Sequence, residues 1–124
     1  MQFLLLIYID QTLLDSLPEG CFDAHMRDCF VKADALRDAG SLLGSQQLED
    51  AVDARTLRTR KGQPRITDGP FAETKEVLGG FNLIEADDAE AALRIAQGFP
   101  WSQFGSIEIR PVRDMDAVRR RVGA

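Results

Sequence analysis

The periods with which apolar and polar positions recur along this chain mark its elements. Phe3 to Ile9 is an unbroken apolar run. Phe3, Leu5, Ile7 and Ile9 point one way and Leu4, Leu6 and Tyr8 the other, which predicts a central strand needing cover on both faces. One helical layer covers only one face. In a chain this short, a second copy of the subunit is the economical cover for the other. A polar turn is expected over Asp10–Ser16. Pro18 then suits a first helical turn, and Glu19 and Asp23 favour the positive end of a helix dipole. Phe22, Met26, Cys29, Phe30, Ala33 and Leu36 follow at spacings of 4, 3, 1, 3 and 3, a single helical stripe. Gly40 is expected to end that helix as a left-handed cap.

Residues 42–48 read as a short strand, followed by a polar connection through Glu49–Asp53. Arg55 to Arg60 is β-prone, and Lys61-Gly62-Gln63-Pro64 turns the chain into Arg65-Ile66-Thr67, predicting a hairpin. Asp68-Gly69-Pro70-Phe71 forms a tight turn, and Ala72–Leu78 is a loop or one loose helical turn. Gly79-Gly80 opens a strand over Phe81–Glu85. Asp87 or Asp88 caps a second helix carrying Ala89, Ala92, Leu93 and Ala96, which ends at Gly98 and Pro100. Ile107 and Ile109 alternate with Glu108 and Arg110 in a last strand, and Asp114–Ala124 is a polar tail. The order β-α-β-(hairpin)-β-α-β predicts a ferredoxin-like α+β fold with an extra hairpin. Residues 1–124 form a single domain, since no composition shift marks an internal boundary. Phe22, Phe30, Phe71, Phe81 and Phe99 are expected in the core, and Trp101 lines a cleft or packs on a helix end.

Composition narrows the function classes. With 124 residues, 44% of them hydrophobic, the chain can bury roughly two-thirds of its unfolded surface without staples. Cys21 and Cys29 are eight positions apart on one helix. Their Cα atoms are then about 12 Å apart, too far for a disulfide. No second Cys or His pair gives a zinc spacing, so no metal is expected. The net charge of −5 disfavours nucleic acid and anionic membranes as partners. No Lys or Arg precedes the first apolar run, and no stretch approaches the about 20 apolar residues of a membrane helix, so the cytoplasm is the expected compartment. Charge is also uneven: residues 1–54 hold 10 acidic and 3 basic groups, residues 55–124 hold 10 and 12. Arg55, Arg58, Arg60, Lys61 and Arg65 crowd the hairpin, and Arg119–Arg121 the tail. An anionic ligand or acidic partner would suit the first group, and a charged edge that resists strand addition explains it equally. Alternation divides the group, since Arg58 and Arg60 share a face with Thr56 while Arg55 shares one with Leu57.

Familiar catalytic signatures are absent: no GxSxG elbow, P-loop, GxGxxG with a ribose-binding acid, or HExxH. His25, the only histidine, lies at the flank of the helical stripe and is the natural acid–base candidate, because imidazole titrates near pH 6.5. Cys21 and Cys29 neighbour it one turn away, but no third group orients a Cys–His pair. Asp68 precedes a sharp Gly69-Pro70 turn that would aim its carboxylate inward. Alternatively, it accepts backbone N–H bonds within its own turn.

The stretch from Ile66-Thr67-Asp68-Gly69-Pro70-Phe71 through Gly79-Gly80-Phe81 resembles the signature of the DGPF, or YCII-related, proteins. Leu5-Leu6-Ile7-Tyr8 and Glu108-Ile109-Arg110-Pro111-Val112 also match, so the resemblance covers about residues 2–115. It implies a ferredoxin-like fold that forms a homodimer by sheet-to-sheet packing, the dimeric α/β barrel, in agreement with the two-faced first strand. It also implies an acid–base pair of a helix-one histidine and an aspartate, whose best matches here are His25 and Asp68. A few such relatives act on small aromatic compounds, some with dehalogenation, and most have no assigned substrate. DGPF proteins tend to be encoded near extracytoplasmic-function sigma factors, which implies a separate regulatory partner.

Two functional expectations follow. In the first, a cofactor-independent enzyme performs proton transfer or elimination on a small molecule. His25 acts as base or acid, Asp68 orients it, and Arg55 or Arg58 holds an anionic substrate. Such a positioned group contributes about 10²–10⁴-fold in rate. In the second, a dimeric ligand-sensing or partner-binding module uses the polar face Asp68–Glu76 and the charged tail without turnover. Gly69, Pro70, Gly79 and Gly80 read as architectural turn and bulge residues.

Overall fold

In the computed structural model, which describes residues 1–124, the two-faced apolar run becomes the central strand β1 (Gln2–Ile9). After it come α1 (Gln11–Asp15), α2 (Cys21–Asp38), β2 (Leu42–Gln47), β3 (Arg55–Arg60) and β4 (Gln63–Asp68). The chain continues through β5 (Val77–Glu85), α3 (Ala89–Gln97), β6 (Gly105–Pro111) and α4 (Met115–Val122). The main sheet has the order β2-β5-β1-β6 with every neighbour antiparallel, which is the ferredoxin-like arrangement. β3 and β4 form a separate hairpin inserted between its second and third strands.

Register decides which side chains meet the helices. Phe3, Leu5 and Ile7 of β1 lie opposite Ile84, Asn82 and Gly80 of β5, and these six face inward. Phe3, Leu5 and Ile84 are fully buried, with Ala33 of α2 and Ala92 and Ala96 of α3 in the same core. On the other face Leu4, Leu6 and Tyr8 lie opposite Leu83, Phe81 and Leu78. Leu4, Leu6, Tyr8, Phe81 and Leu83 remain half-buried, so this apolar face is not fully covered within one chain.

Several elements differ from the sequence reading, each for a local reason. The turn at Asp10–Ser16 contains a short helix, because the Asp10 carboxylate caps it by accepting from the Thr12 amide. Pro18 and Glu19 lie ahead of α2 rather than in its first turn, because Gly20 breaks the chain with φ +83°. The polar tail is the helix α4, capped by Asp114 and ended by Gly123. β5 begins at Val77, two residues before Gly79. Ile7 pairs with Gly80 and Tyr8 with Leu78, leaving Gly79 as the extra residue of a bulge. A Cβ on Gly80 would lie 2.8 Å from the Gln46 carbonyl oxygen, so only glycine allows β2 to approach here. Phe30 and Phe71 are exposed rather than core, Phe22 and Phe81 are half-buried, and Phe104 joins the expected Phe99 in the core.

Gly105 sets the other close approach, since a Cβ there would run into the Tyr8 carbonyl oxygen across the β1–β6 pair. Gly105→Ala is expected to cost about 2–4 kcal/mol in urea unfolding. Gly44→Ala, whose Cβ meets only the Leu83 Cβ at 3.9 Å, should stay within about 0.5 kcal/mol of the parent. Equal effects of the two substitutions would contradict this account of the β1–β6 contact.

Candidate functional site

α2 crosses the sheet above the ends of β1, β2 and β5, where the sheet offers Gly79, Gly80 and Ser45 and the helix offers Cys29 and Ala33. Small residues facing small residues leave a chamber of about 340 Å³. Ile7, Ile9, Met26, Phe22 and Trp101 line its apolar part, the last two as tilted rings with centroids 6.1 Å apart. Ser45, Gln47 and Asn82 supply a polar side, and Asp34 and Arg37, paired at 3.3 Å and largely exposed, stand at the rim.

Asn82 is the unusual member. It sits in β5 between Leu5 of β1 and Ser45 of β2, is only 4% exposed, and accepts a 2.5 Å hydrogen bond from the Ser45 hydroxyl. Cys29 also lines the chamber. Burial pushes its thiol up, against the pull of the Trp101 side chain and Lys32, so it is a protonated thiol at neutral pH. Both cysteines are unpaired.

The residues singled out from sequence lie elsewhere. His25 sits on α2 half-buried, its ring edge-on to Phe104 at 5.3 Å, and is not part of the chamber lining. Asp68 ends β4 with its side chain 94% exposed, paired across the hairpin with Arg55 at 3.9 Å. Arg58 donates to the Phe71 carbonyl oxygen at 2.9 Å, and the Thr56 hydroxyl donates to that of Gly69 at 2.9 Å. The hairpin thus holds the Asp68–Phe71 turn by its own side chains. Arg55 and Asp68 are brought together, whereas no hydrogen bond or ion pair joins His25 to Asp68 within the chain.

Sequence reasoning missed Ser45, Asn82 and Asp10. A polar side chain in the apolar run Phe81–Ile84 was the available signal for Asn82. Asp10 was visible as the residue that ends the first apolar run. Its carboxylate is buried and accepts from the Thr12 hydroxyl at 2.6 Å and amide at 3.1 Å, with Lys75 Nζ at 3.6 Å. The Thr12 hydroxyl chiefly holds this carboxyl below its ordinary value, against desolvation, with the Thr12 amide and Lys75 assisting. Lys75 therefore ties the loop after the Asp68–Phe71 turn to the end of β1. Glu76 strengthens the tie by accepting from the Ser106 hydroxyl at 2.6 Å. No group of three or more His, Cys, Asp or Glu side chains is placed to hold a metal ion, and no helix is long and apolar enough to cross a membrane.

A family model for the YCII-related domain matches residues 1–116. The chain belongs to the YCII-related family. This YCII-related chain is 33% identical over 114 residues to an uncharacterized protein of Rhizobium meliloti (strain 1021), covering 90% of this chain and 92% of that protein. Among solved structures it is similar to 5-chloro-2-hydroxyhydroquinone dehydrochlorinase from Burkholderia phenoliruptrix AC1100, in complex with 2,5-dihydroxybenzoquinone. There the identity is 13%, the TM-score 0.46 and the coverage 91% of this chain and 94% of that one. The family match ends at residue 116, so most of α4 lies beyond it.

Asp10 predicts a pH dependence for this YCII-related fold. A carboxyl whose folded value is lowered stabilises fully above its unfolded value of about 3.9, and loses that contribution as pH falls through the folded value. Asp10→Asn keeps a capping side chain and removes the charge. It should melt below the parent at pH 7, and the gap should narrow below about pH 4. A gap unchanged from pH 7 to pH 3 would remove the ionic contribution from the account.

Proposed function

We propose that this YCII-related protein binds a compact, largely apolar small molecule in the chamber between α2 and the sheet, and acts on it without a cofactor. The chamber itself carries the proposal: about 340 Å³, apolar along one side, with hydrogen-bonding groups on the other. That size is at the small end of the about 300–1,000 Å³ usual for ligand sites. The reaction class proposed is proton transfer or elimination, with His25 as acid or base and Asp68 as its partner. Because one chain does not join the two, Asp68 has to come from the hairpin of a second copy or by movement of its own hairpin. His25 also stands outside the chamber lining, beside Phe104, so turnover requires the ligand to extend past Met26 or the imidazole to rotate towards it.

A homodimer belongs to the same proposal. The half-buried Leu4, Leu6, Phe81 and Leu83 favour a second sheet as their cover, and so does the apolar pair Leu57 and Ile66, which lie opposite each other on the hairpin and are 66% and 67% exposed. Arg55 and Arg58 are already engaged by Asp68 and Phe71, which favours a structural role for both over substrate binding. A second reading, ligand sensing without turnover, is favoured by one observation. The chamber lining holds a protonated thiol, amides and a hydroxyl, and its only carboxylate, Asp34, is already paired at the rim.

Trp101, the single tryptophan, lines the chamber, so its indole N–H resonance reports occupancy. In a screen of small aromatic and alicyclic compounds, binders should shift that resonance. With a converted binder, His25→Gln should keep the shift and lose about 10²–10⁴-fold in turnover. Turnover undiminished in that variant would remove His25 from the reaction, and binding with no turnover in the parent would support the sensing reading. For assembly, light scattering should give twice the 13.8 kDa of one chain, and Leu6→Glu on the open face should give a monomer. A parent that scatters as a single chain would overturn the dimer.

A further inference from the structure

Asn82 gives the chamber a chemical direction, and the inference drawn from it rests on the reading of the chamber as a small-molecule site. Asparagine is depleted in strands, and this one occupies a helix-facing position in the middle of the sheet, between Leu5 and Ser45 and two residues from the fully buried Ile84. An asparagine amide carries one acceptor oxygen and a two-donor nitrogen. The Ser45 hydroxyl donates to that oxygen, which fixes the rotation of the amide and turns its nitrogen away from Ser45. The nitrogen has no partner among the side-chain hydrogen bonds of the protein, in which Asn82 takes part only as an acceptor. No buried side-chain polar atom is sealed off without a partner. Asn82 is nevertheless only 4% exposed and lines the chamber, so the space its nitrogen reaches is the chamber.

We infer that Asn82, held by Ser45, is the specificity-determining donor of this site, and that the ligand is a compact apolar molecule presenting a neutral carbonyl oxygen to it. A donor selects an acceptor, and a ligand without one leaves the amide unpaired. That mismatch is worth roughly tenfold or more in affinity. The carbonyl is neutral because the inner lining carries no cation. Arg37 stands at the rim and is already paired with Asp34. A carboxylate pushed among Ile7, Met26 and Trp101 would lose its hydration without a counter-charge.

Three probes of similar shape test this on the full-length protein: acetophenone, ethylbenzene and benzoate, titrated by NMR with the Trp101 indole N–H and the Asn82 side-chain NH₂ as reporters. In the parent, acetophenone should bind at least about tenfold more tightly than ethylbenzene, move the Asn82 NH₂ pair, and outcompete benzoate. Asn82→Leu should bind the two uncharged probes alike. Ser45→Ala, a milder change that releases the amide to turn, should reduce the preference for acetophenone with the fold intact. If ethylbenzene matches acetophenone in the parent, or the preference survives both substitutions, Asn82 is not the selecting group, although the chamber still binds ligands. Benzoate binding ahead of acetophenone overturns the neutral-carbonyl assignment. No response of Trp101 to any probe at millimolar concentration overturns the chamber reading together with this one.

Discussion

Small residues face each other between α2 and the main sheet, and the rest of the site depends on that mismatch. α3 packs against β1 and β6, where its small Ala92 and Ala96 share the core with the bulky Phe3, Leu5, Phe99 and Phe104. Small helix residues among large ones from β1 and from the segment between α3 and β6 fill the space to the density normal for protein interiors. α2 instead sets Cys29 and Ala33 over Gly79, Gly80 and Ser45. The larger Phe22, Met26 and Leu36 of the same helix pack against the core, so α2 cannot sink to close such a gap. The sheet cannot fill it from below either, because a side chain at Gly80 would meet the Gln46 carbonyl oxygen at 2.8 Å. The close approach of β2 to β5 therefore keeps the chamber floor bare.

The same constraint reassigns the most recognisable stretch of the sequence. Between Gly69 and Gly80 the contacts within the chain are structural ones. Thr56 and Arg58 hold the turn carbonyl groups, Lys75 reaches the buried Asp10, Glu76 takes the Ser106 hydroxyl, and Gly79 forms the bulge. Together they tie the hairpin and the following loop to the ends of β1 and β6, beside the chamber. A change at Lys75 thus disturbs the Asp10 tie as well as any partner-binding face. Glu73, which enters none of these contacts, is the cleaner probe of that face.

Much of this fold was legible because its signals are periodic or punctuated. The double-faced run at Phe3–Ile9 and the hairpin around Lys61-Gly62 each rest on one local rule and appear where that rule places them, and of the two cap candidates Asp87 and Asp88 it is Asp88 that caps α3. The missed elements depend on quantities that spacing does not carry. α1 exists because a single carboxylate caps five residues, and α4 because Asp114 and Gly123 bracket a charged stretch that reads as a tail. The chamber was the least legible feature. It arises from which small residues on distant segments come to face each other, and neither helical nor strand period reports that. Asp68 was conspicuous within its motif, yet its direction is set by its place at the end of β4, opposite Arg55.

Space left open under a helix has an energetic signature, and the melting temperature of Ala33→Leu measures it most directly. Ala33 is nearly buried and lines the chamber, so leucine would place three further carbons in volume that already exists. The account predicts a variant that melts a few degrees above the parent, in line with a cavity-filling gain of about 1 kcal/mol. A variant that melts well below the parent, by the about 1–3 kcal/mol typical of an overpacked core, would show that α2 and the sheet are already in full contact and that there is no chamber to serve as a site.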